Sequence, residues 1–242
     1  MTWRWLAGLL LLLAAGLVAA VLLLTATTAG ARWLAAAAEA SSGGAVMLRG
    51  VDGSLGTGLR AASLDIQAGE LTVHIEDLEL LLRPAALLRG QLRIERLAAA
   101  RVAVDLPPPG PDKPFVMPTV TTPIPLRLRQ LAVPVLELHR DGQAWTITGL
   151  QAGGRLRGSQ LQVNHAAGDF AGLHLQLAGS AELRPPLPIA ARIGWSLPAQ
   201  RLSGMGTARG NLDELVVAQA IRVPEAVIVH ATLRGLATQP RI

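Results

Sequence analysis

The chain has 242 residues, half of them apolar, with a formal charge of +5, two Phe, five Trp, no Tyr and no Cys. The missing cysteine excludes disulfide frameworks, thiol catalysis and thiolate metal sites together. The scarcity of aromatics leaves Leu, Val, Ile and Ala to build any core. The positive charge is almost all arginine, with Lys113 the only lysine, and the arginines lie singly along the chain. That scatter argues against a nucleic-acid surface, which clusters basic side chains beside aromatics.

The first predicted element is a membrane span over residues 6–24, LAGLLLLLAAGLVAAVLLL, from Leu6 through Leu13 to Leu24. Nineteen residues without a charge make a helix of about 28 Å. That matches the roughly 30 Å hydrocarbon core of a bilayer. Trp3 and Trp5 stand where interfacial anchors belong, and Arg4 with the terminal amine places the N-terminus in the cytoplasm. Ala29-Gly30-Ala31 has the small-x-small form of a signal cleavage site, but the apolar run is longer than a signal's, so an uncleaved anchor is predicted. The remainder then lies outside the cytoplasm, in the periplasm of a double-membrane bacterium. An Ala-rich helical spacer over 32–40 ends at Ser41-Ser42-Gly43-Gly44. The anchor and spacer form the predicted segment 1–40.

From residue 45 the period changes to two. Leu71, Val73 and Ile75 alternate with Thr72, His74 and Glu76. The same alternation recurs at Leu92 and Ile94, Val102 and Val104, Leu126 and Leu128, and Leu173, Leu175 and Leu177. Short alternating strands with turn signals between them predict a β architecture with one apolar and one wet face. Pro84 and Gly90 bracket one short helical turn. Residues 107–125 contain eight prolines and are predicted as an extended connector. They separate a first β segment, 41–106, from a second, 126–242.

No catalytic constellation emerges. His74, His139, His165, His174 and His230 lack metal-ligand spacing, and those in clear strands fall on the polar face. The glycine-rich stretch over 50–58 lacks the Lys-Ser/Thr of a phosphate loop, and no G-x-S-x-G is present. The expectation is a non-enzyme without cofactor or metal. A sheet with one apolar face must cover it. A strongly curled sheet whose aliphatic face lines a trough is one solution, and a scaffold closed by further chain or a partner is another.

The order of features resembles the TamB family of the AsmA-like group. The resemblance rests on GVDGSLGTGLRAASLDI from Gly50, on Leu87, Leu88 and Gly90 in the turn, and on Leu92, Ile94, Leu97, Val102 and Val104 before a Pro-rich insertion. It continues where the chain re-enters the sheet, from Pro123-Ile124-Pro125-Leu126 to Leu136-Glu137-Leu138. It implies a mainly β fold in which an N-terminal transmembrane helix precedes an elongated, curled, taco-like sheet with an apolar concave face. It also implies inner-membrane anchoring, phospholipid as cargo, outer-membrane biogenesis and an outer-membrane barrel partner of TamA type. In that reading Leu71, Val73, Ile75, Leu92, Ile94, Val102, Val104, Leu126, Leu128, Leu173, Leu175 and Leu177 line the groove. Family members are far longer and carry their partner contact in a C-terminal domain. The resemblance therefore implies a fragment, a split reading frame or a short relative, and gives no partner-contact residues.

Overall fold

The computed structural model describes residues 27–54, 56–106, 121–222 and 226–234. The predicted span over 6–24, with Trp3, Trp5, Leu6, Leu13 and Leu24, lies outside the described residues. Among those described, no helix is long and apolar enough to cross a membrane.

A helix, α1 (Thr28–Ser41), comes first. It starts earlier than the predicted spacer and stops where the sequence says. Gly43 and Gly44 take left-handed φ of 63° and 84°, and their N–H groups bond back to the carbonyls of Ala40 and Glu39. Left-handed glycines at a helix end satisfy carbonyls that the helix itself leaves free.

Fourteen strands follow. They are β1 (Val46–Arg49), β2 (Asp52–Ser54), β3 (Gly58–Ala68), β4 (Leu71–Leu82), β5 (Leu92–Ala98), β6 (Arg101–Asp105) and β7 (Thr122–Arg140), then β8 (Gln143–Gly158), β9 (Gln160–Phe170), β10 (Leu173–Glu182), β11 (Ile189–Leu197), β12 (Leu202–Gly210), β13 (Glu214–Arg222) and β14 (Ala226–Arg234). All belong to one sheet in the order β1-β3-β4-β5-β7-β8 and on in sequence to β14, with β2 beside β3 and β6 between β4 and β7. Strands from both sides of the Pro-rich stretch thus share a single sheet. Pairing is antiparallel except where β5 and β6 run parallel to β7. A parallel neighbour obliges the chain to return the length of the pair between Leu106 and β7. The predicted turn is a 3-10 helix, Pro84–Arg89, closed by Gly90 at φ 65°.

A crease crosses the strands of the first half. Ala61 pairs with Leu78 and Ser63 with Glu76, so Ala62 meets Asp77, which holds a left-handed φ of 51°. Asp is among the few non-glycine residues that take this conformation readily. On β7 and β8, Val133 pairs with Leu150 and Val135 with Thr148, so Pro134 meets Gly149 at φ 62°. Pro134 brings no N–H to the ladder, and the pleat breaks there. Between β5 and β6, Ala99 and Ala100 bridge the same line, bonding to the carbonyls of Ala132 and Glu76. Ala61, Leu78, Ala99 and Val133 are buried along it. They form the inner corner of the bend, and helix α1 packs mainly on β1 and β2.

Candidate functional site

The register decides which side chains share a face, because directly opposed residues point the same way. Strand β10 pairs with β11 without interruption, so Leu173, Leu175, Leu177, Gly179 and Ala181 lie on one face. From Leu173 that face runs through Phe170, Ile147, Leu136 and Val102 to Ile75. From Ala181 it runs through Leu161, Leu156 and Leu126 to Leu92. One row further, Leu128 meets Ile94, and Val104 meets Val73. All the aliphatic residues singled out in the sequence, from Leu71 to Leu177, therefore stand on the same face.

The structure adds Trp145, Ile147, Leu156, Leu161, Phe170 and Trp195 to them. Trp145 and Ile147 alternate with threonines, a pattern visible in the sequence. Trp195 alternates with Ile193 and Leu197 across Gly194 and Ser196, a pattern the sequence also carries. Its indole lies across Gly204, where a Cβ would meet the ring, and its Nε1 donates to Gln219 Oε1 at 2.7 Å. That bond satisfies the one polar side chain in this row of the apolar face.

This face is the inside of the bend. Where Gly179 stands on it, a Cβ would run into the carbonyl oxygen of Ala190 on the next strand. Side chains converge on the inner side of a curled sheet, so glycine and alanine gather there. The face is also open. Only eight apolar residues are buried among those described, and no large side chain is fully so. Leu175 and Leu177 remain 38 % and 39 % exposed. A second packed layer would bury such residues, and none is present among the described elements.

The opposite face carries charges paired across strands. Arg101 Nη2 donates to Glu137 Oε2 at 2.6 Å, and this bond raises the arginine pKa. His74, His139 and His174 each meet an aspartate, at Asp65, Asp105 and Asp169. Glu95 gathers Arg83, Arg93 and Arg129. Burial pushes its carboxyl pKa up, but hydrogen bonds and charge from Arg93 and Arg129 outweigh that and hold it below 4.5. No group of His, Cys, Asp and Glu able to hold a metal occurs among the described residues.

A family model for the N-terminal domain of TamB matches residues 17–201, more than half of the chain. The chain belongs to the TamB family. No curated protein and no solved structure matches it. The TamB match covers α1, strands β1 to β11 and the crease, so the creased sheet with its open apolar face lies largely within the family's N-terminal domain.

Proposed function

We propose that this chain is the membrane-proximal part of an inner-membrane-anchored, periplasmic carrier that receives phospholipid acyl chains on its apolar face and serves outer-membrane biogenesis. The observation that carries the reading is the alignment of Leu71, Val73, Ile75, Ile94, Val102 and Val104 with Leu126, Leu175 and Leu177 on one face that no described element covers. Apolar surface left open to this extent is a binding surface or an aggregation hazard, and an acyl chain is the ligand whose burial needs no polar partner. Membership of the TamB family supports association with the inner membrane. The anchor over residues 6–24, with the N-terminus cytoplasmic, completes the proposal, and a TamA-type barrel is the partner it implies. The reading requires no enzyme chemistry and no cofactor.

The test is lipid recovery from the full chain, purified in a non-ionic detergent and examined by mass spectrometry. Val73→Asp and Ile94→Asp place a charge on the apolar face and should abolish co-purifying phospholipid. His74→Ala, on the polar face, should leave it unchanged. Circular dichroism must show all three folded, since a charge placed there also costs several kcal/mol. Equal lipid in wild type and both Asp variants overturns the reading in favour of a scaffold without cargo.

A further inference from the structure

On the polar face, charges meet opposite charges over most of the first half of the sheet. Arg60 and Arg96 meet Glu79, Arg93 and Arg129 meet Glu95, and Arg101 meets Glu137. One place breaks the rule. Arg127 of β7 stands directly opposite Arg155 of β8, with Arg157 two residues further along the same face. None of the three has an ion pair or a side-chain hydrogen bond to another described residue. Like charges directly opposite one another destabilise a strand pair, and on its other side Arg127 stands opposite Arg93, whose carboxylate partner is Glu95.

The same row continues from Arg155 through Gln162, Ser180 and Ala190 to Arg209. Arg192 lies one row on, and it and Arg209 are likewise without a described partner. Short side chains between two sets of long cationic ones leave a hollow. A twisted sheet is saddle-shaped, so its polar face has concavities of its own. Two adjoining hollows of about 970 and 560 Å³ open here, sharing Gln162, Ser180 and Ala190 as part of their lining. Glu182 is on the rim, but Arg184 takes up its carboxylate.

We infer that the larger hollow binds a phosphate-bearing anion, held by Arg127 and Arg155 with Arg157 beside them. Guanidinium groups present forked donors that match the oxygens of phosphate two at a time. A phosphate group, singly charged as a lipid diester and more highly charged as the free ion, relieves the repulsion between Arg127 and Arg155 as it binds. Gln162 and Ser180 supply uncharged polar contacts on the floor. The arginines stand on the face opposite the apolar one, while Leu126, Leu156 and Leu161 of the apolar row also border the hollow. Free phosphate and the phosphate of a lipid headgroup share this chemistry.

The experiment uses the full chain in a non-ionic detergent at constant ionic strength. Inorganic phosphate is one probe, and a short-chain phosphatidylglycerol below its micelle concentration is the other, each read by titration calorimetry and by melting temperature. Saturable binding of at least one probe is expected, weakened tenfold or more in the double variant Arg127→Ala/Arg155→Ala. The double variant Arg49→Ala/Arg222→Ala loses the same charge elsewhere and should bind as the wild type does. Binding of phosphate identifies a free anion as sufficient, whereas binding of the lipid alone identifies a headgroup. In phosphate-free buffer the Arg127→Ala/Arg155→Ala chain should melt no lower than the wild type, because a repulsion has been removed. No saturable binding of either probe, or equal losses in the two double variants, overturns the inference.

Discussion

The two halves of the sheet bend by different means. From β3 to β8 the strands are long and are folded across a crease, where Asp77, Ala99-Ala100 and Pro134 with Gly149 interrupt the pleat. From β10 to β14 the strands have nine or ten residues, and β11 to β14 pair without a register shift. Curvature there comes from small residues on the inner face: Gly179, Ala191, Gly206 and Ala208. The first device needs an inner corner filled with apolar side chains. The second needs that space left empty. Both keep the aliphatic residues on one side, so a bend can be built either by breaking a strand or by trimming its side chains.

Substitutions that invert these requirements sharpen the contrast. Gly179→Val should have the largest effect, since its Cβ alone would collide with the carbonyl of Ala190 and the Cα of Ala191. A loss of about 3 kcal/mol is expected from overpacking of this kind, read from denaturant unfolding. Next comes Leu78→Ala, which empties the inner corner at a residue only 7 % exposed and should cost about 2–3 kcal/mol. Leu175→Ala, at 38 % exposure on the open face, should cost under about 1 kcal/mol. Equal costs at the two leucines would mean that the second half is covered as well as the first. The smallest effect is expected at Glu95→Gln, under about 0.5 kcal/mol, from loss of its arginine partners. Because the folded state holds the Glu95 pKa below 4.5, its contribution is full above that pH and fades as pH falls through the lowered value. The wild type should therefore lose stability on acidification below about pH 4.5, and Glu95→Gln should lose less over the same interval.

Much of this architecture is legible in the residues. Period-two alternation identifies the face of each strand, and Pro84 with Gly90 marks the turn. Asp141-Gly142, both at positive φ, is a hairpin signal that the sequence carries openly. The crease is not legible. Glu76 and Asp77 are both polar, so the alternation that ends at Ile75 resumes out of phase at Leu78, and only the pairing of Leu82 with Ile94 on β5 shows that the same face continues. Strand β7 reads as separate pieces because Pro123, Pro125 and Pro134 lie within it, yet they fall at its start and at the break. The arginine hollow is the clearest case. Arg127, Arg155, Arg192 and Arg209 are scattered singly in the sequence, and that scatter argued against a basic patch. The register of six strands brings them to two adjoining hollows. Spacing along a chain says nothing about neighbours across a ladder.

The position of the crease fixes a depth. Asp77 leaves six residues of β4 on one side and five on the other. At roughly 3.3 Å per residue the two arms of β4 reach about 16–20 Å each. Half of a ~30 Å hydrocarbon core is about 15 Å. On the proposed reading, an arm of β4 is long enough to lie along the tails of one leaflet.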